Sequence, residues 1–224
     1  MSFGDKKLSE IAVSVPGSTS LLREYDLDFC CGGSDTLANA AAEKGLNLAE
    51  IETRLTELQN SKAENPEEYW VNATYPEIID HILVRYHQRH REQLQELIVL
   101  ADRVESVHGD REDCPIGVAA ELRNVYEDLS NHMMKEEHVL FPMIKAGNYM
   151  MAQMPIRMME MEHSEHGEHL EVLKSLTNNM TTPADACNTW LALYSGIQEF
   201  IDDLMMHIHR ENNILFPRVI AENH

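Results

Sequence analysis

A stretch that occurs twice constrains this chain more than any other feature. Residues 128–142 and 203–217 align without gaps and share both polar and apolar residues. The matched residues are Asp128 with Asp203, Leu129 with Leu204, His132 with His207, Glu136 with Glu211, and Leu-Phe-Pro at 140–142 with Leu-Phe-Pro at 215–217. Because the identity covers chemistry as well as packing, the two stretches predict the same local structure and the same kind of site.

In both copies a histidine precedes a glutamate by four residues, as His132 precedes Glu136 and His207 precedes Glu211. An α-helix repeats about every 3.6 residues, so both side chains of such a pair lie on one helix face and reach one point. A single pair of this kind arises by chance on many helices. Two pairs with matching apolar neighbours instead predict that the repeated helices pack together in one bundle. Both His-Glu faces would then meet at one metal site.

The spacing of apolar residues predicts an all-α chain, an up-down four-helix bundle with a small N-terminal helical domain. We expect bundle helices at about 76–107, at 116–145, from after Pro155 to the turn at 178–183, and at 184–220. Pro142 and Pro217 should kink or end their helices just beyond the repeated glutamates. The predicted domains are 1–62 for the small domain, 63–75 for a linker and 76–224 for the bundle.

The N-terminal domain combines short helices with an unusual cysteine loop. Helices are expected at 5–22, with Pro16 near its end, from Leu37 onward, and at 47–59. Between the first two lies Cys30-Cys31-Gly32-Gly33, where the glycine pair indicates a turn.

The composition limits the partners that the chain can bind. Its 38 acidic and 18 basic side chains among 224 residues give a formal charge of −20. Nucleic acids and anionic membranes attract basic patches, so we expect neither as a partner. The sequence has no signal-peptide pattern and no apolar span of bilayer length, which predicts a cytoplasmic protein. Its four cysteines, two of them adjacent, predict thiols in a reducing compartment.

Two further metal ligands are expected from the first and third bundle helices. His87 lies 45 residues before His132 and His163 lies 44 residues before His207, so choosing His87 and His163 preserves the repeat. The other histidines are expected at the surface or behind the ligands: His81, His90, His108, His138, His166, His169 and His209. Four imidazoles and two carboxylates favour iron or manganese, with zinc as an alternative, over calcium or magnesium. The donor count leaves room for a bridging oxygen and one outside ligand.

This ligand set resembles that of the hemerythrin-like di-iron bundles. The resemblance is carried by His87, His132-x-x-x-Glu136, His163, His207-x-x-x-Glu211 and the two Leu-Phe-Pro tails. Gly167 stands where the usual pattern has a fifth histidine, and Glu211 stands where it has an aspartate, which argues against simple oxygen carriage. With the string Asp26-Leu-Asp-Phe-Cys-Cys-Gly-Gly, the whole chain is similar to the repair-of-iron-centres family, which joins a small Cys-Cys module to such a bundle.

The resemblance implies a cytoplasmic protein with two non-haem iron ions, oxo- or hydroxo-bridged, that acts under nitrosative and oxidative stress. It implies repair of damaged iron-sulfur proteins, by iron delivery, by nitric oxide handling or by both, and a homodimer. Two alternatives stay open. One is an oxygen-binding or oxygen-sensing hemerythrin-like protein, and the other is a nitric oxide or peroxide reductase, which would need an external electron donor because no Gly-rich nucleotide motif is present.

Three residues beyond the ligands are candidates for function. A disulfide between the adjacent Cys30 and Cys31 would close a strained ring, so we expect two thiols, exposed beside Gly32 and Gly33. Their thiolates could bind iron or its nitrosyl adducts; the alternative is that they simply pack the small domain. Glu162, next to His163, is expected to support a ligand or relay a proton. Cys114 and Cys187 have no partner at a telling spacing, and we expect them to be unreactive.

Overall fold

The computed structural model describes residues 2–61 and 64–222. Within those ranges every regular element is helical, and the one β-type pairing is a single bridge between Lys7 and Thr36. The helices are α1 Leu8–Ser14, α2 Ser18–Glu24, α3 Leu37–Glu43, α4 Leu48–Asn60, α5 Pro66–Asn72, α6 Tyr75–His81, α7 Gln88–His108, α8 Val118–Lys135, α9 Phe141–Lys145, α10 Tyr149–Leu176, α11 Asn188–Arg210 and α12 Phe216–Ala221. The predicted all-α class is confirmed. In the described part of the chain, no helix is both long enough and apolar enough to cross a bilayer.

The chain divides into two compact units. One comprises residues 1–78 and 206–224, and the other comprises residues 79–205. The predicted domain boundary between 62 and 63 lies outside the described residues, and α5 occupies Pro66–Asn72 within the stretch predicted as a linker. The predicted limits of 1–62, 63–75 and 76–224 stay a prediction.

In the unit that begins the chain, short helices surround a small apolar core. Its buried side chains include Leu8, Ile11, Leu22, Phe29, Leu37, Ile51 and Leu55. The predicted helix at 5–22 is two helices, because Pro16 and Gly17 separate α1 from α2 and Gly17 has a φ of 72°. Gly33 is needed in the cysteine loop, since a Cβ at this position would lie 2.5 Å from the Phe29 carbonyl oxygen.

The unit of residues 79–205 contains the long helices of the predicted bundle. Its core is apolar and includes Leu97, Leu122, Leu129, Leu173, Trp190 and Ile197. Ion pairs join neighbouring helices: Arg123 with Asp102 at 2.5 Å between α8 and α7, Lys135 with Glu162 at 2.6 Å between α8 and α10, and Arg89 with Glu199 at 3.0 Å between α7 and α11. Long helices joined by short connections pack as antiparallel neighbours, as the sequence predicted.

One predicted helix start is wrong. α10 begins at Tyr149 rather than after Pro155, which lies inside the helix. A proline removes a single backbone hydrogen bond, and the apolar face of Ala152, Ile156 and Met159 stays buried on both sides of it. Burial of that face offsets the lost hydrogen bond, so the helix continues through the proline.

Three π-helical turns interrupt the long helices, at Ile82–His87, Glu136–Leu140 and Glu211–Leu215. The Phe141 N–H donates to the Glu136 carbonyl oxygen, and the Phe216 N–H donates to the Glu211 carbonyl oxygen, so each helix closes over five residues instead of four. We expected Pro142 and Pro217 to kink or end their helices. The helices continue beyond both prolines, because the wider π turn relieves the crowding between a proline ring and the preceding turn.

A histidine on α10 joins two carboxylates of α8. His169 Nδ1 lies 2.6 Å from Glu121 Oε1, and His169 Nε2 lies 3.1 Å from Asp128 Oδ2. Partial burial lowers the pKa of His169, but the two carboxylates outweigh it and raise that pKa above the ordinary value of 6.5. A raised pKa in the folded state means that the charged imidazole stabilises the fold below the unfolded pKa, and that this stabilisation is lost as the pH rises through the folded pKa.

We therefore expect the His169→Gln variant to unfold more easily at pH 6, by about 0.5–1 kcal/mol, the range of partly exposed ion pairs. As the pH rises from 6 toward 9, the wild-type imidazole loses its charge, so the difference should shrink. Urea unfolding of both proteins at both pH values measures the two differences. An equal destabilisation at pH 6 and pH 9 would contradict the charge-based account.

Candidate metal centre

A buried carboxylate, that of Glu136, lies close to the predicted ligands His87 and His132. Glu136 is 0% exposed, and its Oε2 lies 3.3 Å from His87 Nε2 and 3.4 Å from His132 Nε2. Across the described residues, neither oxygen of Glu136 accepts a hydrogen bond. A buried ionised carboxylate is costly unless it is paired, hydrogen-bonded or bound to a metal ion. The residues present therefore fit a bound cation.

His163 brings another imidazole to the same place. Its Nε2 lies 3.1 Å from His132 Nε2, and both rings are buried. His132, Glu136 and His163 each offer a donor atom within 4.8 Å of the others. This spacing allows one cation to bind all three side chains.

The second copy of the repeat forms a matching pair in the unit that contains residues 206–224. His207 Nε2 lies 3.3 Å from Glu211 Oε1, and both side chains are 0% exposed. Glu211 begins a π turn directly after α11, just as Glu136 begins a π turn directly after α8. The repeat in sequence is therefore also a repeat in local structure, with a buried imidazole and carboxylate on one helix face.

Two carboxylates fix the orientation of two predicted ligands in the unit of residues 79–205. Glu137 Oε1 accepts a hydrogen bond from His87 Nδ1–H at 2.8 Å, and Glu162 Oε2 accepts one from His132 Nδ1–H at 3.0 Å. A proton held on Nδ1 leaves Nε2 of each ring available to a metal ion. We expected Glu162 to support a ligand or relay a proton, and the structure places it against His132.

A basic side chain accompanies each of these carboxylates. Arg91 donates to Glu137 at 2.7 Å, and Lys135 donates to Glu162 at 2.6 Å. The hydrogen bond from His87, and then that from Arg91, lowers the pKa of Glu137 to about 2. The hydrogen bonds from His132 and Lys135 lower the pKa of Glu162 to about 2 in the same way. Both carboxylates are thus anionic acceptors at neutral pH.

Sequence reasoning missed Glu137 because the repeat does not include it. The aligned residue in the second copy is Asn212, whose side chain donates instead to the Cys30 carbonyl oxygen at 3.0 Å. The available signal was Arg91, which follows His87 by four residues and so lies on the same helix face.

Glu67 was also missed, because it lies in the stretch predicted as a linker. Its carboxylate accepts from both terminal nitrogens of Arg210, with Nη2 at 3.3 Å, and lies 3.4 Å from His209 Nε2. The Arg210 guanidinium also stacks over the Trp70 ring, 4.8 Å from its centroid. These buried contacts hold the helical segment that carries His207.

The cysteine loop is built around Asp28. Its Oδ1 accepts the backbone N–H groups of Cys30 at 3.0 Å and Cys31 at 2.9 Å, and its Oδ2 accepts the N–H of Gly32 at 2.8 Å. The two cysteines are not joined by a disulfide, and their sulfur atoms lie 3.7 Å apart. Asp28, Cys30 and Cys31 together could hold a metal ion.

The expected exposure of the two thiols is wrong for Cys30, which is buried, whereas Cys31 is half-buried. The hydrogen bond with Cys31, the burial and the nearby Asp28 carboxylate all raise the pKa of Cys30 well above its usual range. Cys30 therefore stays protonated near neutral pH, so Cys31 is the more accessible sulfur for a metal ion or an electrophile.

The cysteine loop is fastened to the residues that follow Glu211. Within the same unit, Asn212 donates to the Cys30 carbonyl oxygen at 3.0 Å and Asn213 donates to the Phe29 carbonyl oxygen at 2.8 Å. Both asparagines lie in the π turn that Glu211 begins. The cysteine loop and the His207–Glu211 pair are thus positioned by one short segment.

The histidines outside the ligand set differ in burial. His138 is exposed, and His81, His108 and His169 are half-buried. His90, His166 and His209 are buried. The His166 ring meets the His132 ring edge-on at 4.8 Å, so it packs against a predicted ligand.

Two known protein families match the chain. Residues 78–219 match the hemerythrin HHE cation binding domain, and residues 4–59 match the ScdA_N domain, a domain of unknown function. The first match includes all six predicted ligands, and the second includes Cys30 and Cys31.

Several curated proteins are similar over nearly their full length. A probable iron-sulfur cluster repair protein of Haemophilus influenzae is 68% identical over 222 residues, which cover 99% of this chain and 100% of that protein. The iron-sulfur cluster repair protein YtfE of Citrobacter koseri is 55% identical over 222 residues and 99% of both chains. The protein of the same name from Musicola paradisiaca is 54% identical over 221 residues and 98% of both chains.

The contact between Glu137 and His87 yields a test of the metal centre. We expect Glu137→Gln to weaken iron binding about 10- to 100-fold, because the neutral amide holds the His87 ring less firmly and makes it a poorer donor. Competition with a chromophoric iron chelator measures the affinity. Glu127→Gln on α8, an exposed glutamate, is the matched control. Equal affinities for wild type and Glu137→Gln would contradict the assigned role.

Proposed function

Because this chain belongs to the hemerythrin HHE family and to the iron-sulfur cluster repair proteins, we propose that it restores damaged iron-sulfur clusters with iron held by buried histidine and glutamate side chains. The comparisons confirm the predicted family and the predicted role in cluster repair. They favour this role over the two alternatives, an oxygen-binding or oxygen-sensing hemerythrin and a nitric oxide or peroxide reductase.

The observation that carries the proposal is the environment of Glu136. A fully buried carboxylate with imidazole nitrogens 3.3 and 3.4 Å away is an arrangement that a cation stabilises. Nitrogen and carboxylate donors together suit iron, whereas calcium and magnesium prefer oxygen donors alone. The cation-binding family that matches residues 78–219 supports the same conclusion.

The proposed ligand set is His87, His132, Glu136, His163, His207 and Glu211. The His207–Glu211 pair enters this set because it repeats the geometry of the His132–Glu136 pair, at 3.3 Å against 3.4 Å between nitrogen and oxygen. We propose two iron ions with an oxo or hydroxo bridge, since six side chains leave coordination positions open. Bound iron would supply a transferable ferrous ion and a position at which nitric oxide binds.

The side chains around the ligands have their own tasks. Glu137 and Glu162 keep the Nδ1 protons of His87 and His132 in place, so each ring presents Nε2. Arg91 and Lys135 balance the charge of these carboxylates. The ligand orientation is thus set before an iron ion arrives.

The burial of the ligands bears on the choice between iron delivery and nitric oxide handling. Glu136 and Glu211 are 0% exposed, and so are His87, His163 and His207. A diatomic molecule can pass through small openings between side chains, whereas a client protein cannot touch buried ligands unless the surrounding chain moves. The burial therefore supports nitric oxide handling in the closed fold, with iron delivery coupled to opening.

In addition to the iron ligands, Cys31 is proposed as a functional thiol, with Cys30 as its protonated neighbour. The support is its partial exposure and the three backbone N–H groups that Asp28 orders around the loop. A cytoplasmic location is supported by the four described cysteines, none of which forms a disulfide, because a reducing compartment preserves thiols. A response to nitrosative and oxidative stress, a homodimer and nitric oxide or oxygen as small ligands are proposed from the family resemblance.

A repair assay tests the proposal. Nitric oxide first damages the iron-sulfur cluster of a hydratase. Iron-loaded wild-type protein is then added, and the recovered hydratase activity is measured. We expect the double variant His132→Ala, Glu136→Ala to hold at least about tenfold less iron and to lose repair in proportion, because it lacks one half of the repeated ligand set. The exposed-site variant Glu127→Ala should repair like wild type.

Repair by a double variant that holds no iron would overturn the proposal. Reversible oxygen binding without any repair would instead favour the oxygen-binding alternative. Steady turnover of nitric oxide or peroxide with an added electron donor, again without repair, would favour the reductase.

A further inference from the structure

A second cluster of reactive side chains lies in the unit of residues 79–205, away from the proposed ligands in sequence. His108 is the last residue of α7, and Cys187 directly precedes α11. The His108 Nε2 atom lies 3.2 Å from the Cys187 sulfur, close enough for a hydrogen bond to sulfur. We expected Cys187 to be unreactive. Its partner lies 79 residues earlier in the chain, which is why sequence spacing does not reveal it.

Three groups stabilise the anionic form of this sulfur. The backbone N–H of Trp190, the His108 imidazole and the backbone N–H of Thr189 lower the pKa of Cys187 to about 7, against a small opposing effect of burial. The two N–H groups belong to the first turn of α11, where the helix dipole also favours negative charge. At neutral pH, a much larger fraction of Cys187 is thiolate than of an ordinary cysteine.

The charged surroundings favour a small neutral reactant. Arg111 stacks over the Trp190 ring, 5.4 Å from its centroid, and pairs with Asp113 at 2.8 Å and Asp185 at 2.9 Å. Its positive charge is therefore already balanced, and it offers little attraction to a negatively charged oxidant. Cys187 is half-buried and the neighbouring Asp185 is exposed, so this part of the chain is partly open to solvent.

We propose that Cys187 and His108 form a second reactive site, at which a small neutral peroxide oxidises the thiol. The Cys187 proton passes to His108 Nε2, the sulfur attacks one peroxide oxygen, and the oxygen–oxygen bond breaks. With hydrogen peroxide, the leaving hydroxide takes the proton back from His108 and departs as water. The sulfur loses two electrons and becomes a sulfenic acid, while the peroxide is reduced.

The first test measures the reactivity of each cysteine in the full-length protein. Iodoacetamide alkylation between pH 5.5 and 9.5 is quantified for every cysteine peptide by mass spectrometry. We expect the Cys187 rate to reach half its maximum near pH 7, and at a pH about one unit higher in His108→Gln, which cannot take up the proton. Cys114 is the internal control, because burial raises its pKa. It should react about tenfold more slowly than Cys187 at pH 7.

The second test exposes the same proteins to hydrogen peroxide and traps sulfenic acid with dimedone. We expect an adduct at Cys187 in wild type, at least about fivefold less in His108→Gln, and none at this position in Cys187→Ser. Circular dichroism checks that the variants fold. The proposal would be overturned if the alkylation of Cys187 in the wild-type protein had its midpoint pH near that of a free cysteine. This result does not depend on any variant. An unchanged profile in folded His108→Gln would overturn it as well.

Discussion

The structure depends on one costly placement, a carboxylate buried among imidazole rings. Glu136 is 0% exposed and has two imidazole nitrogens within 3.4 Å of one oxygen. Burial of such a charge is tolerated only when a cation or hydrogen bonds compensate for it. The carboxylates behind the rings, Glu137 and Glu162, direct Nε2 of His87 and His132 toward Glu136. The fold therefore keeps a costly buried charge at a position where a cation can compensate for it.

The π turns show a second cost at the same positions. Each of the three turns contains a proposed ligand at one end: His87 ends the first, Glu136 begins the second and Glu211 begins the third. A π turn makes poorer backbone contacts than an α turn and is therefore rare outside functional sites. The extra residue changes the direction of the side chains on either side, and it also lets Pro142 and Pro217 follow without ending their helices.

The two copies of the repeat have diverged at the residue directly after the glutamate. In the first copy Glu137 accepts a hydrogen bond from His87, whereas in the second copy Asn212 donates to the carbonyl of Cys30. The same helical frame thus serves two purposes: it orients an imidazole in one copy and fastens the cysteine loop in the other. In that loop, the hydrogen bond with Cys31, the burial and the Asp28 carboxylate raise the pKa of Cys30 and keep it protonated, and the half-buried Cys31 is the more accessible thiol.

The sequence by itself determined the all-α class, the long helices and the His-Glu pairs, because helical periodicity and a repeat are local patterns. It also led to the correct family. It misplaced the start of α10, because the burial of Ile156 and its neighbours outweighs the one hydrogen bond lost at Pro155. Only the tertiary structure decided that Glu137 contacts the His87 ring, that Glu67 contacts Arg210 and that His108 contacts Cys187. It also decided that Cys30 is buried. Those contacts join residues far apart in the chain, 79 positions for His108 and Cys187 and 143 for Glu67 and Arg210, and no local spacing encodes them.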